Sequence, residues 1–329
     1  MNRKPLALLF SCAFFTIPSL AKPIEWRPGF SGDISLNAGF SQTNSQLNTD
    51  DSNAITQSLN GTGKQIETVS PVILGRLQYT FGHQALFFGN NEDQISEAQF
   101  QSELGWIGQI TANTYLTLAV FGSIPGMDET WQDPYLTGLQ RTKTDHNVVG
   151  GRTALEVNLP FPVTLKYAYA DSEIEHDIIG QSQALTSSEQ HTLLRSSTYQ
   201  RFGAEIHFPL SMSIMLSPGF YYTDQAAEGS AQSRTETAAQ LSFFANLDRH
   251  QVVVTLRSSK SNYEQDNPVF GRKRDDDAFA MFAVYGYQEP FALSHTQLNV
   301  MAGYQQQDAQ IDFYDSENTF IATGISYSF

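Results

Sequence analysis

Eight charged side chains fall on the polar parity of segments whose alternate residues are apolar: Arg76, Glu103, Arg152, Glu156, Lys166, Arg201, Glu205 and Arg257. Opposed charges on one face of a sheet can do one of two things. If they line water, they set a transverse field that selects solutes by charge. If water is excluded, they must close on one another as ion pairs, because an unpaired charge in a low-dielectric interior is too costly. Gly, Ser, Thr and Gln are abundant on the same faces and leave room for water, which favours a hydrated lumen, but both readings remain open. A second concentration of charge is Gly271-Arg272-Lys273-Arg274-Asp275-Asp276-Asp277. Its bases could hold lipopolysaccharide phosphates and its carboxylates divalent cations. It could also fold into a pore mouth, or be a solvated loop whose charges compensate one another.

Other chemistries find little support. The seven histidines show no His-x-x-x-His or Cys/His spacing, so no metal site is expected. No Gly-x-Ser-x-Gly elbow or cofactor-binding motif is present, so neither an enzyme nor a cofactor is expected. The one cysteine, Cys12, lies in the first apolar stretch and offers no disulfide framework. A formal net charge of −15 argues against a nucleic-acid partner, which needs a basic field.

The elements that must carry the charged faces are strands. Met1-Asn2-Arg3-Lys4, an apolar run from Pro5 to Leu20 and Ser19-Leu20-Ala21 read as a secretory signal peptide over residues 1–21, with residues 22–329 as the exported domain. Loss of Arg3 and Lys4 with that segment would take the formal charge from −15 to −17. Mean hydropathy is −0.30, and no later apolar run approaches a membrane helix. Hydrophobic residues at 40% are too many for disorder. Period-two alternation recurs at about 30–41, 71–81, 84–89, 96–108, 114–123, 147–159, 163–175, 196–208 and 211–224, then around 240–247, 252–257, 278–287, 298–305 and 319–329. The segment at 278–287 is apolar on both faces, so its orientation is ambiguous. Long polar connections alternate with short turns such as Gly82-His83 and Pro209-Leu210. The pattern predicts an all-β, transmembrane, antiparallel up-and-down β-barrel of about 14 strands, with 12 as the alternative.

Aromatics at the strand ends suggest two interfacial girdles. Trp106, Phe161, Phe208, Phe291, Tyr327 and Phe329 fall at one level, and Phe40, Tyr199, Tyr222, Tyr263, Tyr304 and Phe320 at the other. Tyr199 and Tyr221 have inward parity, so an aromatic slide for sugars is the sharper alternative. Trp131 and Tyr135, in the long loop near 125–146, could touch a ligand or pack the loop.

The chain ends Gly324-Ile-Ser-Tyr327-Ser-Phe329. This resembles the assembly signal of outer-membrane barrels, with Ala322 standing where a polar residue is usual. Trp26-Arg-Pro-Gly-Phe-Ser-Gly-Asp33 and Leu86-Phe-Phe-Gly89 resemble a family of Gram-negative outer-membrane proteins of unknown function. The resemblance implies the barrel and the outer membrane and carries no catalytic residues; a barrel in that membrane is expected to meet barrel assembly machinery, outer-membrane lipid and lipopolysaccharide as partners. With the polar inner faces it points to a passive, porin-like channel for small hydrophilic solutes. The alternative is a non-conducting surface barrel whose loops bind a partner or stabilise lipopolysaccharide.

Overall fold

The computed structural model describes residues 26–90, 101–124 and 127–329. The expected signal segment at 1–21, and the 96–100 start of the fourth expected strand, lie outside these. Fourteen antiparallel strands form one closed sheet: β1 (Gly29–Ser45), β2 (Gln65–Phe81), β3 (Gln84–Asn90), β4 (Gln101–Thr111), β5 (Thr114–Ser123), β6 (Lys143–Val157), β7 (Val163–Ile174), β8 (Ser197–Ile206), β9 (Ile214–Ala227), β10 (Arg234–Leu247), β11 (His250–Tyr263), β12 (Asp276–Gln288), β13 (Thr296–Ala309) and β14 (Ser316–Ser328). Each pairs with its sequence neighbours, and β14 returns to β1 with Asp33 opposite Ser328 and Phe40 opposite Ile321. The count is fourteen, not twelve. No helix among the described residues is long and apolar enough to cross a membrane.

Burial follows the alternation. Along β1, Phe30, Ile34, Leu36 and Phe40 are exposed outward, while Ser35, Asn37, Ser41 and Thr43 are buried inward. A water-soluble barrel would reverse this, so the outward apolar surface is the face that meets lipid. From Phe30 to Phe40, ten residues at about 3.3 Å each and a tilt of roughly 40° give a band about 25 Å high, the height expected of an outer-membrane barrel. β2 starts at Gln65, six residues before its expected start, so it extends above this band and the first long loop is shorter than the pattern suggested.

Two orientation questions are settled by packing. β12 sends Phe282 inward, where it packs with Met301, Phe320 and Ala322, and leaves Phe279, Met281 and Tyr285 outward. The girdle at the long-loop end holds only in part. Phe40 and Tyr222 are exposed outward, but Tyr199, Tyr263 and Phe320 are buried inside the barrel. Depth alone put them in the girdle; parity turns them inward. At the short-turn end Phe161 and Phe208 lie 5.2 Å apart and Tyr327 stacks with Phe329, as a girdle should.

Phe329 completes the seam. Its amide donates to Gly32 O and its carbonyl accepts from Gly32 N, both at 2.9 Å. Its ring is more than half exposed toward the membrane interface. Deleting Phe329 removes both backbone bonds and the anchor. The expected outcome is a lower amount of folded barrel in the outer membrane, measured by quantitative blotting, with permeation per folded molecule unchanged. Normal levels would contradict this role.

Candidate functional site

All eight charged candidates point into the barrel, and the register explains which of them meet. Arg152 on β6 and Glu103 on β4 reach over the intervening β5 and join edge to edge, Nε to Oε2 and Nη2 to Oε1, each at 2.8 Å. Their side chains are 7% and 1% exposed. On β7 and β8, Lys166 Nζ lies 3.0 Å from Glu205 Oε1. Glu205 also accepts from the Tyr221 hydroxyl on β9. Farther round, Arg257 Nη2 donates to Glu236 Oε1 at 2.8 Å. Arg76 stacks over Phe87 at 3.9 Å, and Arg201 over Tyr221 at 4.4 Å. Glu156 sits half-buried toward the short-turn end of β6. Glu236 lies four residues ahead of the alternating segment at 240–247 and so falls outside the charged candidates. Inward parity extended back along β10 would have found it.

The inward aromatic rings lie along the wall. Tyr221 pairs in register with Gly203 on β8, and a Cβ at that glycine would sit 2.7 Å from the ring. The absent side chain is what lets the ring lie flat there and carry a guanidinium on its other face. His207 engages Thr164 Oγ1 at 3.0 Å and Ser217 Oγ at 2.8 Å through its two nitrogens. Both ring positions are engaged by hydroxyls, one from β7 and one from β9, so the ring ties those strands together.

Above the barrel, the described loops form a second core. Tyr135, Ile179, Leu193, Ala231, Ile311, Phe313 and Tyr314 pack together, with Leu47, Leu59, Leu185, Val269 and Phe270 around them. These residues come from connections 46–64, 124–142, 175–196, 228–233, 264–275 and 310–315. Tyr135 follows β5 and Tyr314 follows β13, nearly opposite in the ring, yet their hydroxyls share a hydrogen bond. Asn267, after β11, donates to both, at 2.8 and 3.2 Å. Strand spacing and tilt put the mouth at roughly 28 Å across, and the loops meet over it. Burial holds the Tyr135 hydroxyl well above its ordinary pKa, so it stays protonated.

Polar staples fix the cap. Arg141 is 2% exposed and donates to the carbonyls of Gln46 (2.9 Å), Pro134 (3.2 Å) and Asn53. Its guanidinium lies 4.5 Å over Trp131. Burial pushes its pKa down to about 10, still far enough above neutrality to keep the charge. Asp133 accepts from the amides of Tyr135, Gly180 and Ser182. Arg195 pairs with Asp177 at 2.7 Å and donates to Trp131 O at 2.8 Å. Trp131 and Tyr135 therefore pack the loop; both are fully buried.

The charge run at 271–277 begins in the loop before β12 and runs into that strand, so its six charges are divided. Arg272 is exposed and lies 3.8 Å from Asp312. Lys273 is half-buried. Arg274 is buried 3.1 Å from Asp276 and stacks over Tyr314 at 4.0 Å. Asp275 accepts from Tyr263 N at 2.7 Å. Asp276 and Asp277 belong to β12, whose alternation turns Asp276 inward and Asp277 outward, 3.9 Å from the exposed Lys260. No group of acidic, histidine or cysteine residues suited to a metal ion occurs among the described residues.

A closed fourteen-stranded barrel with an outward apolar belt, a charged inner wall and a folded cap defines a transmembrane barrel of the outer-membrane class. Residues 29–328 match the family described as Protein of unknown function (DUF2860), and the chain belongs to that family. No curated protein matches it. Among solved structures it is similar to a Pseudomonas aeruginosa FadL homologue (10% identity, 91% of this chain and 90% of that one, TM-score 0.48). It is also similar to the CymD monoaromatic hydrocarbon channel (8%, 92% and 89%, 0.46) and to the outer membrane channel DcaP of Acinetobacter baumannii (8%, 92% and 98%, 0.44).

The Glu103–Arg152 pair generates a stability prediction. Arg152→Met leaves a buried carboxylate without its forked partner and should cost about 3–5 kcal/mol. Adding Glu103→Leu should recover part of that loss. A double-mutant cycle from denaturant unfolding in detergent measures both; additive losses would show that the pair is not coupled.

Proposed function

We propose that this protein is an outer-membrane conduit for small hydrophilic solutes, held shut in this state by its loop cap. The observation that carries the reading is the contrast between wall and cap. Beneath the cap, Lys166, Arg257 and Glu236 keep 17%, 16% and 21% of their side-chain surface open, and inward parity opens that surface to the lumen. The cap has an apolar core and polar staples of its own, so it can shift as a unit without unpairing the barrel. Opposed inner charges would then act on whatever passes, in the manner of a selective pore.

Several parts of this reading extend beyond the wall. Residues 1–21 would direct export and be removed, placing the barrel in a Gram-negative outer membrane. Gly324, Tyr327 and Phe329 would present the assembly signal to the barrel assembly machinery. Arg272 and Lys273, at the outer rim, would meet lipopolysaccharide phosphates.

The second reading, a non-conducting surface barrel, is favoured by the same cap core. Conductance separates the two. In planar bilayers the wild-type protein should show rare openings, and Tyr135→Ala or Phe313→Ala, each removing a ring from the cap core, should give frequent discrete steps. Silent bilayers for both variants, with folding verified by heat-shifted mobility, would overturn the conduit in favour of the surface barrel.

A further inference from the structure

From β8 to β12 the described inward groups contain more guanidinium than carboxylate. The inward carboxylates there are Glu205, which holds Lys166 of β7 and the Tyr221 hydroxyl, and Glu236 and Asp276, around which Arg201, Arg234, Arg257 and Arg274 gather. Glu236 accepts from Arg257 at 2.8 Å and lies in the field of Arg201 and Arg234. Asp276 lies 3.1 Å from Arg274 and 3.8 Å from Arg234. Each arginine also rests on a tyrosine face. Arg201 and Arg257 lie 4.4 and 5.2 Å over Tyr221, Arg234 and Arg274 lie 5.7 and 5.1 Å over Tyr263, and Arg274 lies 4.0 Å over Tyr314. Tyr314 belongs to the cap core, Tyr263 to the top of β11 and Tyr221 to the wall below. The stacked pairs therefore descend as a stripe from the cap into the lumen.

This stripe stands against the charge of the whole chain, which is −15. Acidic groups dominate overall, whereas on this wall four arginines and Lys166 face three carboxylates, Glu205, Glu236 and Asp276. A guanidinium stacked on a ring has its face covered and its N–H edge directed at acceptors in the plane. That edge matches a carboxylate or a phosphate, which accept two parallel hydrogen bonds. Low-dielectric walls around the stripe strengthen its field on small mobile ions.

We infer that the Arg201–Tyr221–Arg257 and Arg234–Tyr263–Arg274 stacks form an anion subsite, selecting small carboxylate- or phosphate-bearing solutes over neutral and cationic ones. As a statement about passage this rests on the conduit reading; as a statement about binding it stands by itself. The test therefore has two arms. In the first, calorimetry titrates the full folded protein in detergent with succinate, inorganic phosphate and sucrose. Succinate or phosphate should bind and sucrose should not, and the two anions distinguish a carboxylate from a phosphate ligand. Arg257→Gln should weaken anion binding several-fold, and Glu236→Gln should strengthen it. The opposite signs keep the test decisive if one variant fails to fold. Equal behaviour of the three solutes, or no response to the folded variants, overturns the subsite. In the second arm, reversal potentials across a salt gradient are read with Tyr135→Ala as the open background. Anion preference that falls with Arg257→Gln and rises with Glu236→Gln supports selection during passage; cation preference overturns it. Silence in this arm counts against the conduit alone, because calorimetry still decides the subsite.

Discussion

Backbone hydrogen bonding in lipid is the constraint on which the rest of this structure depends. Inside a bilayer there is no water to satisfy an open strand edge, so the sheet must close. Closure is made by β14 against β1, in register from Asp33–Ser328 to Ser45–Ser316. Once it is made, residue parity is set around the ring. A slip of one residue would send Ile325 and Tyr327 into the lumen and Asn318 and Ser326 into lipid. The seam thus decides which side chains can form the inner wall and which the belt.

The inner wall then faces a second problem, which is charge. Glu103 and Arg152 solve it by a buried forked pair, Lys166 and Glu205 by a bond that also takes in Tyr221, and the arginines of β8 to β12 by stacking on tyrosines. The two sequence-level alternatives, hydrated lumen and interior ion pairs, turn out not to exclude each other. Groups can be paired and still leave part of their surface open, as Arg257 and Glu236 do. Above them the loops pack into a cap held by the hydrogen bonds among Tyr135, Asn267 and Tyr314 and by the buried cation Arg141.

Much of the barrel was legible because a period of two survives in a one-dimensional string. Phe30, Ile34 and Leu36 against Ser35 and Asn37 announce a lipid face and an inner face without any knowledge of their neighbours. The cap was not legible in the same way. Its core draws one to three residues from each of six loops, so no segment carries a period. The available sign was the set of large apolar residues, such as Ile179, Leu193, Phe270, Ile311 and Phe313, inside otherwise polar connections. Tyr263 and Phe320 were misplaced for a related reason, whereas the inward parity of Tyr199 was legible beside its girdle reading. Aromatic residues near strand ends suit an interface equally well on chemistry alone, and only their direction distinguishes belt from lumen.

By itself, the sequence determined that this chain is a barrel, that its strands number about fourteen, and which parity of most strands carries charge. Those properties are local, because alternation and turn chemistry are written within a few residues of each other. Only the tertiary structure decided the pairing of Glu103 with Arg152 across β5, the division of the 271–277 run between rim and lumen, and the meeting of Tyr135 with Tyr314 over the mouth. The first and the last join residues far apart in the chain, and the second is set by where β12 enters the sheet. Their proximity follows from ring closure and strand register, which no single segment contains.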